Sequence, residues 1–205
     1  MKKLIKIVGS SFNEIKDLRK NGNLWFKIFK EEGILREGMK ILDYGAGLGR
    51  LSVPFSEMAK VVATDPNEKM VEYLESVGIE AYKRKDCRML KQKDFDFILS
   101  AYVFQHIPLE LTQRITRQMA KFSNKLYFTF PTYEMFEKLG RDIPINYDRP
   151  KEKDEDELNE FGTHDFGSII LNEKELKILF DKSDWNTRTI KQVTDKIENL
   201  FEISK

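Results

Sequence analysis

The chain has 205 residues, 40% hydrophobic, 12% aromatic and 34% charged, with 35 Lys or Arg against 34 Asp or Glu. That length suits one domain with a full core, and a net charge of +1 lacks the basic excess with which duplex-binding proteins neutralise phosphates. A single cysteine, Cys87, excludes an internal disulfide framework and a cysteine-rich zinc site. The first eight residues have neither a sustained apolar run nor a small-residue cleavage site, and no stretch nears the ~20 apolar residues of a membrane span. The expected compartment is the cytoplasm, with no membrane partner and no DNA partner.

Residues 11–32 carry apolar side chains at Phe12, Ile15, Leu18, Trp25, Phe26 and Phe29. The spacing predicts an amphipathic helix, interrupted near Asn21-Gly22-Asn23, with Trp25 and Phe26 in the core. Residues 39–44 form a short apolar run into glycines, a buried strand. Residues 48–59 are expected to be helical and 61–64 to be a second, β-branched strand. Residues 67–77 are helical in pattern and stop at Gly78, a natural C-terminal glycine. Strands are expected at 79–82 and 95–100, a helix at 109–122 behind Pro108, and a fifth strand at 126–130 closed by Pro131. Residues 141–167 break the rhythm with two prolines and nine acidic against four basic residues, and are expected to be an inserted loop or lid. Helical spacing returns at 172–180, and the tail holds strands near 187–193 and 200–203. Strand alternating with helix predicts a mostly parallel sheet covered by helices on both faces. The whole chain is expected to be one domain, with residues 1–37 as an N-terminal helical cap.

The chemistry gathers after the first strand. Ile41-Leu42-Asp43-Tyr44-Gly45-Ala46-Gly47-Leu48-Gly49-Arg50 runs from strand through glycine turn into helix. Glycines there permit a sharp turn and bring a ligand against the main chain, and helix N–H groups beyond them favour an electron-rich ligand group. Asp65, 20 residues after Gly45, is placed to accept hydrogen bonds from both ribose hydroxyls of a nucleoside cofactor. A dinucleotide fingerprint needs a third glycine at position 50, where Arg50 stands. The third glycine is Gly49 instead, giving Asp-x-Gly-x-Gly-x-Gly across residues 43–49.

This pattern resembles the glycine-rich motif of the class I S-adenosylmethionine-dependent methyltransferases, and the resemblance extends from Lys40 to the C-terminus. It implies a Rossmann-like, doubly wound α/β fold whose seven-stranded, mostly parallel sheet has an antiparallel last strand. By the family pattern Gly45, Gly47 and Gly49, with Ala46 between them, line the methionine part of the cofactor, and Asp43 helps hold its amino group. Asp65 binds the ribose, with Pro66, Asn67 and Met70 beside the adenine. Asp86 and Cys87 match the family's place for an adenine-binding carboxylate and N–H. Ser100-Ala101-Tyr102 and Gln105-His106 match the loop that faces cofactor and acceptor. Residues 103–108 are similar to a segment common in the small-molecule enzymes of the class.

Plainer roles stand beside these. A glycine turn can be only a turn, Asp86 a surface carboxylate, His106 a support for the helix start, and His164 part of a solvated loop. The acidic run at 154–157 reads as a solvated face or as a surface favouring a cationic acceptor. In the latter case neutralising it raises the Michaelis constant for that acceptor.

The acceptor is narrowed mainly by what is missing. Enzymes that methylate exocyclic base amines carry Asn/Asp-Pro-Pro-aromatic after the fourth strand, where this chain has Ser100-Ala101-Tyr102-Val103. Pyrimidine-carbon methylation needs a cysteine nucleophile near the same strand end, and Cys87 belongs elsewhere by register. A small-molecule acceptor is therefore expected, with RNA ribose or protein side chains as alternatives. The implied mechanism is direct in-line transfer, in which positioning does most of the work. His106 is the nominated general base and Tyr102 the weaker nominee. The two histidines are far apart in sequence, and no metal is expected. Readings from other classes are a non-catalytic S-adenosylmethionine-binding protein and a nicotinamide-dependent oxidoreductase, which Arg50 argues against.

Overall fold

Strands and helices alternate as the spacing requires, and the computed structural model describes residues 12–83, 94–140, 169–181, 184–194, 197 and 199–205. Seven strands form one sheet in the order β3-β2-β1-β4-β5-β7-β6. They are β1 (Lys40–Tyr44), β2 (Lys60–Asp65), β3 (Glu80–Lys83), β4 (Phe97–Ser100), β5 (Lys125–Thr129), β6 (Asn186–Gln192) and β7 (Leu200–Ser204). The expected doubly wound, mostly parallel arrangement is present, with β7 as its antiparallel member. The chain resolves into two compact units, Met1–Asp96 and Phe97–Lys205.

In the first unit β1 pairs with β2, and β2 with β3, all parallel. The helices are α1 (Phe12–Glu31), the single turn α2 (Ser52–Phe55) and α3 (Glu68–Ser76). Asn67 caps α3 by accepting from the Lys69 N–H at 2.9 Å, and Gly78, at φ +86°, ends that segment in the left-handed region. Ala63, Leu74, Ile79 and Ala81 form a buried cluster beneath α3, joined by Val53, Val71 and Val77. Trp25 and Phe29, one helical turn apart on α1, stack at 5.9 Å, and Phe29 meets Phe55 at 5.2 Å. Trp25 is buried as expected, whereas Phe26 is half-buried.

Two expectations for this unit are corrected. The helix over 11–32 is not interrupted at Asn21-Gly22-Asn23; α1 runs straight through. An interior glycine costs a helix only about 1 kcal/mol against alanine, and Gly22 sits where a Cβ would lie 1.9 Å from the Arg50 carbonyl oxygen. The helix expected over 48–59 shrinks to Ser52–Phe55. Gly47 and Gly49 at φ +53° and +69° hold the chain outside helical space before it, and Pro54 has no N–H for the helical ladder.

In the second unit β4 and β5 are parallel, while β7 lies between β5 and β6, antiparallel to both. Its helices are α4 (Leu109–Met119), α5 (Tyr133–Leu139) and α6 (Glu173–Asp181), with a 3₁₀ turn at Phe104–His106. The 3₁₀ turn and α5 are additions to the expected elements. Thr132 caps α5 through the Met135 N–H, and Gly140, at φ +58°, closes it. Asn172 and Glu175 form a reciprocal capping box at the start of α6, with bonds of 2.9 and 3.0 Å. Phe128 is fully buried and meets Phe104, Phe180 and Phe201 at 6.1, 4.8 and 5.6 Å. The expected lid at 141–167, with His164, lies outside the described residues.

Trp185 ties the β6 end of this unit to α4: its buried indole N–H donates to the Thr116 carbonyl at 2.9 Å. Trp185→Phe keeps most of the apolar bulk and removes this bond, leaving the Thr116 carbonyl with the Ala120 N–H alone, so a loss of about 0.5–1.5 kcal/mol is expected. It should appear as a lower denaturant midpoint with an unchanged m-value; an unchanged midpoint would show that the bond contributes nothing.

Candidate active site

The glycine turn follows β1 and is held by the end of β2. The N–H groups of Gly45 and Ala46 both donate to the Thr64 carbonyl, at 2.8 and 3.0 Å. The Gly47 N–H donates to Asp65 Oδ2 and the Asn67 N–H to Asp65 Oδ1, each at 2.9 Å. Asp65 is 7% exposed, and both its oxygens are fixed by backbone donors while keeping further lone pairs. Burial raises its carboxyl above the ordinary range, opposed by these two donors. A Cβ on Gly47 would meet nothing within 4 Å, so this stretch of main chain faces open space. Gly49 differs. A Cβ there would come within 2.8 Å of Leu74 and 3.1 Å of Val53, so this glycine lets the turn settle onto the apolar cluster under α3.

Asp43 lies in β1, two residues before Gly45. Its Oδ2 accepts from Ser52 Oγ at 2.5 Å, and the side chain is buried. Burial pushes the carboxyl up to about 6, against the Ser52 bond and the Arg50 charge, while the Asp65 charge adds to the rise. Pro66, Asn67 and Met70, at the head of α3, are partly exposed. Asp86 and Cys87 lie outside the described residues.

In the second unit, the segment after β4 has an uncommon backbone. Tyr102 adopts φ 61°, rare for a side chain of its size, and its N–H donates to the Thr129 hydroxyl at 2.6 Å. This clamp leaves the Tyr102 ring 42% exposed. Ser100 is fully buried and Ala101 partly so. Gln105 is buried, its carbonyl accepts from the Ile169 N–H at 2.7 Å, and its Nε2 lies 3.3 Å from His106 Nε2. His106 itself is partly exposed.

Among the described residues, then, Asp43, Gly45, Ala46, Gly47 and Asp65 converge on one turn in the first unit, and Tyr102 and His106 flank one short segment in the second. Ser52, Thr129 and Gly22 were not foreseen. Ser52 and Thr129 act through contacts with residues distant in sequence, and no local pattern marks them. Gly22 carried a signal, a glycine inside a helical pattern, which points to close packing as readily as to a break.

A Rossmann-like sheet with a glycine turn after β1 and a fixed carboxylate at the end of β2 is the arrangement with which α/β proteins of this kind receive a nucleoside cofactor. Residues 41–125, which carry that turn and carboxylate, match the family model for a methyltransferase domain. No curated protein matches the chain by sequence. Solved structures match it over nearly its whole length. Magnesium protoporphyrin IX methyltransferase from Synechocystis PCC 6803, with bound S-adenosylhomocysteine, is similar at 17% identity and a TM-score of 0.57, covering 96% of this chain and 89% of that one. A SAM-dependent methyltransferase from Aquifex aeolicus is similar at 21% identity and a TM-score of 0.53, covering 93% and 95%. One from Methanosarcina mazei is similar at 20% identity and a TM-score of 0.57, covering 87% and 96%. Residues 41–125 are thus similar to a methyltransferase domain, and the fold of the chain is similar to that of these methyltransferases. Among the described residues no helix is long and apolar enough to cross a membrane.

Proposed function

We propose that this protein transfers a methyl group from S-adenosylmethionine to a small-molecule acceptor by direct displacement. The observation that carries the reading is the glycine turn with its open face at Gly47, pinned by Asp65 from both oxygens. These residues fit the cofactor. The main chain of Gly45, Ala46 and Gly47, open at Gly47, takes the methionine part, Gly49 seats the turn on the apolar cluster, and the remaining lone pairs of Asp65 take the ribose hydroxyls. Asp43, a carboxylate whose charge burial opposes, is suited to a cationic amino group. Pro66, Asn67, Met70, Asp86 and Cys87 take the adenine side.

Bound cofactor supplies an electrophilic methyl group, so the chain's own work is positioning and, for an acceptor that carries a proton, removing it. His106, with Gln105 Nε2 beside its ring, is the proposed base, and Tyr102 is the weaker candidate. A small-molecule acceptor is supported by the missing Asn/Asp-Pro-Pro-aromatic motif after β4 and by the porphyrin substrate in the name of one similar enzyme.

Calorimetric titration with S-adenosylmethionine, S-adenosylhomocysteine and NAD tests the cofactor, followed by a labelled-methyl screen of small molecules on wild type and His106→Ala. Binding of the first two ligands is expected, with turnover lowered and cofactor affinity spared in the variant. Binding of NAD alone, or of no ligand, would sink the reading.

A further inference from the structure

The N-terminal helix touches the exit of the glycine turn at a point where only glycine fits. Gly22 is buried in the middle of α1. A Cβ on it would lie 1.9 Å from the Arg50 carbonyl oxygen, 3.0 Å from the carbonyl carbon and 3.2 Å from Pro54 Cγ. The first two are backbone atoms, so no rotamer change relieves the clash; either α1 or the backbone at Arg50 must move.

Pro54 explains why that carbonyl faces α1. Its neighbours, the carbonyls of Gly49 and Leu51, accept from the N–H groups of Val53 and Phe55 at 3.0 Å each. The residue placed to draw in the Arg50 carbonyl is Pro54, which has no N–H. The side chain of Arg50 adds a second tie, with its guanidinium carbon 5.7 Å above the Trp25 ring. Phe55, just beyond, packs on Phe26 and Phe29 at 6.2 and 5.2 Å. The glycine turn is therefore held at its start by the Thr64 carbonyl, at its middle by Asp65 and at its exit by α1.

We propose that Gly22 is a positioning residue for the cofactor site: through the Arg50 backbone, α1 sets the path of the turn that receives the methionine part. The inference rests on reading that turn as the cofactor-binding segment. It assigns residues far from the motif, on the N-terminal helix, a share in cofactor affinity without contact.

The test is Gly22→Ala, titrated with S-adenosylhomocysteine and, by displacement, with 5′-methylthioadenosine, which lacks the amino-acid part. Affinity for S-adenosylhomocysteine is expected to fall tenfold or more, while that for methylthioadenosine changes less than twofold. Trp185→Phe, a destabilised control in the other unit, should leave both affinities within twofold. Pro54→Ala, which supplies an N–H to pull the Arg50 carbonyl away from α1, should show the same selective loss and serves if Gly22→Ala does not fold. Equal weakening of both ligands, or none, would overturn the proposal and leave the cofactor reading intact. Failure of the wild type to bind S-adenosylhomocysteine would overturn the cofactor reading itself.

Discussion

Asp65→Ala is expected to weaken S-adenosylhomocysteine binding by at least a hundredfold, about 3 kcal/mol. Two losses combine. The ribose loses hydrogen bonds to a charged acceptor, each worth about 1.5–3 kcal/mol. The N–H groups of Gly47 and Asn67, now held at 2.9 Å, lose their common partner, so the turn is no longer set before the ligand arrives. The same substitution should also lower the thermal midpoint. Asp65→Asn keeps one carbonyl oxygen but turns an N–H₂ toward a backbone donor, and an intermediate affinity is expected. Calorimetry on the three proteins decides it. An Asp65→Ala variant binding within threefold of wild type would mean that the ribose is recognised elsewhere.

The second large effect is pH dependence through Asp43. In the folded chain burial pushes its carboxyl up from an ordinary 3.8 to about 6. Between those values the folded state holds a proton that the unfolded state has released. Stability therefore falls as pH rises through this window and levels off above it, a change of about 3 kcal/mol. Cofactor binding runs in the opposite sense. The ammonium of the methionine part favours the carboxylate, so binding near pH 6 should release a proton, and affinity at pH 5 should be about tenfold below that at pH 7.5. Titrations in two buffers of different ionisation enthalpy measure the proton directly. In Asp43→Asn the proton release should vanish and the pH profile flatten, with affinity at pH 7.5 reduced tenfold or more. A slope that survives this substitution would assign the titration to another group.

The sequence by itself determined the elements whose signals are local. The apolar run into Gly45, the helical spacing from residues 67 and 172 and the stop at Gly78 are each set within a few residues, so strand, turn and helix were legible there. The Asp-x-Gly-x-Gly-x-Gly spacing and Asp65 carried the resemblance from which the cofactor was expected, and the parallel pairing of β1 with β2 brings their ends side by side. Tertiary structure decided the rest. Whether Gly22 broke α1 depended on the Arg50 carbonyl, an atom no local rule reaches. Ser52 found Asp43 and Thr129 found Tyr102 only once the chain had folded back on itself, and α2 stayed short because Pro54 and two left-handed glycines outweighed the apolar spacing. Spacing encodes which way the backbone turns; close approach between distant segments is settled by packing, where an ångström separates a contact from a clash.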